Sequence, residues 1–226
     1  MNIQLMHEPF TILPEAALYW PRQKLIAISD VHIGKAGSMQ KIGVPIPSVS
    51  HNEDFYKIKR LIESYRPKQI LILGDLVHHP SSWGAQLFTD FRNFFSLFKE
   101  TGFTLIAGNH EKGSEKYLNE LPLKISYEDI IIDNFCFTHG HRSNDSGLYR
   151  IEGHIHPIVE LRQGTTKLRL KCFVQSHERL ILPAFGALTG GYAMDFGGND
   201  RVYAIAGTSI LSVPQKQFYK PTGRNP

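Results

Sequence analysis

The sequence is poor in the features that would place it outside ordinary globular proteins. Only two of its 226 residues are cysteines, Cys136 and Cys172, in no metal-ligand spacing. That argues against a disulfide framework and leaves two small apolar fillers in a reducing compartment. No apolar run approaches the roughly 20 residues that cross a bilayer. The opening stretch MNIQLMHEPFTILPEAALYW lacks the basic start, apolar core and small-residue cleavage site of a secretory signal. A cytoplasmic location is therefore expected. Repeats, low-complexity tracts, charge blocks and Gly/Ser linkers are also missing, so one domain is expected over 1–226, with a disordered tail from about 215. No long basic or aromatic-interleaved stripe is visible, which argues against tight sequence-specific DNA recognition. The formal charge of +4 suits a polyanionic partner and an ordinary solvated surface equally well. Hydrophobic residues at 42% and charged residues at 20% are typical of a packed soluble domain.

Three near-continuous apolar runs, KLIAIS (24–29), QILIL (69–73) and FTLIA (103–107), have the character of buried parallel strands. Between the first two, Ser50 and Glu53 form a capping box ahead of Phe55, Ile58, Leu61, Ile62 and Tyr65 at helical spacing, and Pro67 ends the element. Between the second and third, Leu87, Phe91, Phe94, Phe95 and Phe98 make a second helical stripe, read as core rather than as a base-stacking surface. Later segments are strand-like: 124–138, KLRLKCFV (167–174), ERLILPA, RVYAIAG and TSILSVP. α/β units followed by β units predict two sheets packed face to face with helices outside.

The polar residues that carry chemistry follow apolar runs. Asp30 and His32 follow IAIS, Asp75 follows ILILG, and Asn109, His110 and Glu111 follow TLIAG. His139 and His141 follow FCFT, while His154 and His156 follow YRIEG. Ligands of open α/β sheets bind beyond the carboxyl ends of the strands, so five such strands would gather these groups on one rim. Singly, a D-x-H, Gly-Asp or Gly-Asn reads as a turn. Together, Asp30, His32, Asp75, Asn109, His139, His154 and His156 exceed the four to six ligands of one divalent ion and suit two ions sharing a carboxylate. The imidazole and carboxylate donors suit manganese, iron, zinc or cobalt.

D-x-H, G-D, G-N-H-E, H-G-H and G-H-x-H, in that order over residues 30–156, resemble the calcineurin-like metallophosphoesterase superfamily. The resemblance implies an α/β fold, two mixed β-sheets packed as a sandwich and flanked by helices. It also implies that Asp30, His32 and His156 hold one metal, that Asn109, His139 and His154 hold a second, and that Asp75 bridges them. His110 would stand beside the metals and act on the substrate. Two divalent ions, manganese first among them, would hold a bridging hydroxide for in-line attack on phosphorus. The strings DVHIGKA (30–36), GVPIP (43–47), LPAFG (182–186) and TGG (189–191) are further similar to the ligase-associated DNA damage response phosphoesterases, the PdeM family. That similarity implies a phosphodiesterase or nuclease in DNA repair, associated with a DNA ligase, an exonuclease and a helicase.

His78 fits the Gly-Asp-x-x-His form of the second motif, whereas His79 is extra and reads as a surface-loop histidine. His141 is the less favoured ligand of its pair. Lys35 and Arg142 follow ligand motifs and could grip a flanking phosphate or be plain surface charges. A small-molecule phosphatase or nucleotide pyrophosphatase would use the same centre. A non-catalytic scaffold of a ligase-associated repair complex is the alternative from another class.

Overall fold

A computed structural model describes residues 1–41, 43, 50–141, 147–163 and 166–214. Residues 44–47 of the GVPIP string, Arg142 and the tail from 215 lie outside the described residues, as does the side chain of the capping Ser50.

The first sheet runs in chain order: β1 (Asn2–Leu5), β2 (Glu8–Leu13), β3 (Ala17–Trp20), β4 (Leu25–Ile28), β5 (Gln69–Leu73), β6 (Gly102–Ile106) and β7 (Lys124–Ser126). β1 to β4 form an antiparallel meander, and β4 to β7 are parallel. α1 (Lys35–Lys41) and α2 (Ser50–Tyr65) connect β4 to β5; α3 (Ala85–Ser96) connects β5 to β6; α4 (Glu115–Leu118) precedes β7. The second sheet holds β8 (Ile130–Ile132), β9 (Phe135–Thr138), β10 (Tyr149–Glu152), β11 (Pro157–Gln163), β12 (Thr166–Gln175), β13 (Arg179–Ile181), β14 (Tyr192–Ala193), β15 (Arg201–Ala206) and β16 (Ser209–Val213). β9, β10 and β13 are parallel within it.

The period-two alternation of buried strands divides the apolar runs between two cores. Ile26, Ile28, Ile70, Ile72, Phe103 and Leu105 face the helices and meet Phe55, Ile58 and Leu61 of α2 and Leu87, Phe91 and Phe95 of α3. Leu25, Ala27, Leu71, Leu73 and Ile106 face the second sheet and pack with Trp20 on Phe135, Phe137, Ile151, Phe173 and Leu180. The Phe stripe is core, and both cysteines are buried and unbridged. Among the described residues, no helix is long and apolar enough to cross a membrane.

Because β4, β5 and β6 are parallel in one sheet and β9 and β10 in the other, their carboxyl ends converge on one rim. The sandwich core anchors both walls of that rim.

Candidate metal centre

At that rim the backbone departs from ordinary strand geometry. Asp30 (φ 54°), His32 (φ 50°), Asp75 (φ 51°), His154 (φ 66°) and His156 (φ 51°) all adopt the left-handed region. Each such non-glycine residue costs of order 1–3 kcal/mol and persists only where its surroundings hold it. Five of the seven expected ligands are held this way.

The side chains of the expected ligands form two adjoining groups, and His32 also belongs to a third, with His78 and His110. Ligand atoms of Asp30, His32 and His156 lie within 4.8 Å of one another, as do those of Asp75, His139 and His154. In the first group, Asp30 Oδ1 and His156 Nε2 stand 3.1 Å apart. These two atoms and His32 Nε2 are buried without a hydrogen-bond partner. In the second, His139 Nδ1 donates to the Leu73 carbonyl at 2.9 Å, which leaves Nε2 with its lone pair facing the site. Three other ligand atoms approach that Nε2: Asn109 Oδ1 at 3.1 Å, His154 Nδ1 at 3.1 Å and Asp75 Oδ1 at 3.5 Å. Asp75 joins the groups, because its other oxygen, Oδ2, lies 3.5 Å from His32 Nε2.

Main-chain contacts tie the groups together. Asp30 Oδ2 accepts the His154 N–H at 2.9 Å, and Asp75 Oδ1 accepts the His110 N–H at 3.1 Å. Glu111 is 3% exposed and accepts three main-chain N–H groups, from Asp75 at 3.0 Å, Leu76 at 2.8 Å and Gly108 at 2.7 Å. It thereby locks the Asp75 loop to the Asn109 loop. Gly108 must be glycine for the same approach, since a Cβ there would stand 2.4 Å from Asp75 Oδ1.

Electrostatics favour the ligating forms. Burial pushes His32 down to about 3 and lowers His78 and His154, so these imidazoles are neutral near neutral pH. Burial opposes the Asp30 charge, but His156 and then His139 outweigh it and hold the carboxyl below its ordinary range. His110 Nδ1 hydrogen-bonds to the His78 carbonyl, and its Nε2 faces Asp75 Oδ2 at 3.8 Å. A carbonyl only accepts, so Nδ1 carries a proton and Nε2 is the nitrogen turned to the site.

The sequence matches the calcineurin-like phosphoesterase family over residues 23–206. The chain belongs to that family. It is a metal-dependent phosphoester hydrolase. Among solved structures, the chain is similar to the nuclease MPE of Pseudomonas putida, with a TM-score of 0.82 and 24% identity over 94% of this chain and 99% of that one. It also matches the phosphoesterase Yfce of E. coli, with a TM-score of 0.40 and 16% identity over 84% of this chain and 97% of that one. No curated protein matches it in sequence.

The residues fit the metals of a calcineurin-like phosphoesterase. Three buried ligand atoms without hydrogen-bond partners would be costly in a site that never held a cation. The donor set is imidazole, carboxylate and amide oxygen, with no thiolate.

Beyond the seven, the structure sorts the other candidates. The His78 ring stacks on His110 at 5.7 Å between centroids and meets His32 edge-on at 5.6 Å. His79 is exposed and accepts the Ser81 N–H, capping a single 3-10 turn. The His141 ring lies 5.1 Å from His139. Lys35 opens α1 and lines a narrow crevice with His32, Gly34, Asp54 and Leu188. Two features carried no sequence signal as supports of the site. One is the Glu111 lock. The other is a buried clamp on residues 184–187: Lys171 Nζ donates to the carbonyls of Ala184 (2.8 Å) and Gly186 (2.7 Å), Lys57 Nζ donates to that of Phe185, and Asp54 accepts the Ala187 N–H at 2.9 Å. The clamped segment in turn donates from Phe185 to the Ser29 carbonyl and from Gly186 to that of Asp30, and so braces the left-handed Asp30.

Proposed function

We propose that the chain is a two-metal phosphodiesterase acting on nucleic acid in DNA repair. The observation that carries the two-metal reading is Asp75, whose two carboxylate oxygens each lie 3.5 Å from an imidazole of a different group. Asp30, His32 and His156 would hold one ion, Asn109, His139 and His154 the other, and Asp75 both. Manganese suits this donor set. Bound divalent ions make hydroxide available near neutral pH and offset charge on a phosphoryl group. The protein's own part is orientation and proton transfer. His139 is aimed by Leu73, and the Asp75 and Asn109 loops are registered by Glu111. His110, with Nδ1–H committed to the His78 carbonyl, turns Nε2 to the site, where the doubly protonated ring would donate its Nε2 proton to the leaving oxygen. Lys35, which lines a crevice with His32, would meet a phosphate oxygen; Arg142 is proposed on its sequence position alone. The likeness to a Pseudomonas putida nuclease along nearly all of both chains favours a nucleic-acid substrate over a small phosphomonoester. Association with a DNA ligase, an exonuclease and a helicase is part of the proposal and rests on the PdeM-like strings.

Hydrolysis of bis-p-nitrophenyl phosphate against p-nitrophenyl phosphate, with manganese added or chelated, tests the chemistry in wild type and Asp75→Asn. Metal-dependent cleavage of the diester, lost in the variant, is expected. Preference for the monoester would replace this reading with a phosphatase. In His110→Ala, metal content by elemental analysis should stay full while turnover falls about 100-fold or more; loss of metal there would make His110 a ligand instead.

A further inference from the structure

The strand that leaves the candidate centre starts inside the second sheet, where Pro157 and Ile158 also pair with β14 and Val159 is fully buried. β11 begins at Pro157, directly after His156, and pairs antiparallel with β12; past the β14 pairs on β11 and the β13 and β15 pairs on β12, the two strands continue as a two-stranded arm. From Thr166 to Arg169 every residue of β12 is exposed, while Leu161 and Leu170 pack against the small core that contains Val159, Cys172 and Val174. A two-stranded ribbon is marginal by itself in water; this one is anchored at its inner end by the sheet and by that core, and only its outer end is exposed. The registers Glu160↔Arg169 and Ile158↔Lys171, with the alternation K-L-R-L-K, put Lys167, Arg169 and Lys171 on one face of the ribbon. Lys171, at the base, is spent on the carbonyls of Ala184 and Gly186. Lys167 and Arg169 remain exposed and flank a single carboxylate, Glu160, at 2.7 and 3.2 Å. Arg169 also reaches back with Nη2 to the Gly191 carbonyl at 3.5 Å, and the next residue, Tyr192, donates its N–H to the His156 carbonyl. Two of the five guanidinium donors are thus engaged in holding the fork over the root of the arm, and the side chain is still half exposed.

We infer that the β11–β12 arm is a polynucleotide-binding element, in which Arg169 and Lys167 hold backbone phosphates that flank the one at the metal centre. Arg169 pairs in register with Glu160, about 13 Å of strand from His156 at about 3.3 Å per residue, and its guanidinium reaches back toward the root of the arm, while Lys167 stands two residues further out; together they would line a path for a substrate that continues beyond the centre. A guanidinium held by one nitrogen on Glu160 and by another on a carbonyl is pre-oriented, and its outward edge matches two phosphate oxygens. The inference rests on the nucleic-acid reading above and extends it to a substrate long enough to span centre and arm.

The test compares wild type with the Lys167→Gln/Arg169→Gln double variant on a single-stranded oligonucleotide and on bis-p-nitrophenyl phosphate, with kcat/KM followed against salt. The ratio of oligonucleotide to small-diester kcat/KM should fall about tenfold. The slope of log(kcat/KM) against log[salt] for the oligonucleotide should become shallower by about 1.4, two phosphate contacts at about 0.7 each. An unchanged ratio and slope, with the wild type cleaving the oligonucleotide, would overturn the arm while leaving the nucleic-acid reading in place. A wild type that turns over the small diester but leaves oligonucleotides intact would overturn that reading and the arm with it. Glu160 is buried, so if the double variant does not fold, Arg169→Gln alone keeps the Lys167 pair and must shift ratio and slope in the same direction by about half.

Discussion

Glu111 offers the sharpest check on how the metal centre is built. Its carboxylate is buried and serves three main-chain donors on two loops: Oε1 accepts from Leu76, and Oε2 from both Asp75 and Gly108. Glu111→Gln keeps size and shape but turns one oxygen into a donor. Whichever way the amide sits, at least one buried N–H then faces another N–H. A hydrogen bond to a charged group contributes about 1.5–3 kcal/mol, and an orphaned buried donor adds its own penalty. Part of this is offset, because burial, and after it the Asp75 charge, raises the pKa of Glu111, and a neutral amide escapes that cost. A net loss of about 2 kcal/mol is expected. For a chain of this size that lowers the melting temperature by roughly 4–8 °C. Thermal unfolding of the chelated protein near neutral pH reads the value without any contribution from bound metal. With manganese present the gap should widen, because the loops that carry Asp75 and Asn109 lose their common anchor and bound metal adds less stability. A variant that melts within about 1 °C of wild type in both conditions would mean that the loops are registered by something other than Glu111.

Two further outcomes follow from the same geometry. Gly108→Ala places a methyl group 2.4 Å from Asp75 Oδ1 and 2.9 Å from His139 Nε2, so the folded variant should bind less metal than wild type by elemental analysis; full occupancy would refute the close approach. Burial raises Asp54 from 3.8 to about 6, against the pull of the Ala187 N–H, Lys57 and Lys171. Its contribution to stability is therefore complete below pH 3.8 and is lost as pH rises through about 6, so the melting temperature of Asp54→Asn relative to wild type should climb across that window. A constant difference would show that Asp54 titrates alike in the folded and unfolded chains.

Much of this architecture could be read in the sequence because each buried parallel strand is a continuous apolar run that ends in its own candidate ligand. KLIAIS, QILIL and FTLIA became β4, β5 and β6, and the stripes of Ile, Leu and Phe became the inner faces of α2 and α3. The meander β1 to β3 was not legible, and the reason is local. Its first turn is made by Met6 (φ 46°) and His7 (φ 67°), left-handed residues without the Asn or Gly that usually announces such a hairpin. Glu111 stood in the G-N-H-E string, but its partners at Asp75 and Leu76 are 36 and 35 positions away and are main-chain groups, which leave no mark in a side-chain pattern. Lys57 and Lys171 were hidden in the same way, since both donate to carbonyls. The basic face of the arm needed the β11–β12 register before its charges could be seen together.

The strain at the centre explains why so much of the surrounding chemistry is main-chain hydrogen bonding. A ligand in an extended strand alternates sides, so a pair such as His154 and His156 would point at a common locality but not with both nitrogens converging. A left-handed residue at Asp30, His32, Asp75, His154 and His156 turns the chain sharply enough to bring the candidate ligand atoms of each group within 4.8 Å of one another, and it costs about 1–3 kcal/mol at each position. Carboxylates and imidazoles crowded this closely cannot offset that cost among themselves without a cation. The holding force comes from outside the ligand set: Glu111 on the Asp75 and Asn109 loops, and the Lys57–Lys171–Asp54 clamp on the segment that grips Ser29 and Asp30. Each of these acts on backbone rather than on a ligand side chain, so the donors stay free for metal while the chain that carries them is fixed. A centre built this way would be organised before a metal arrived, and cation binding would then relieve charge and orphaned polar atoms rather than having to fold the site.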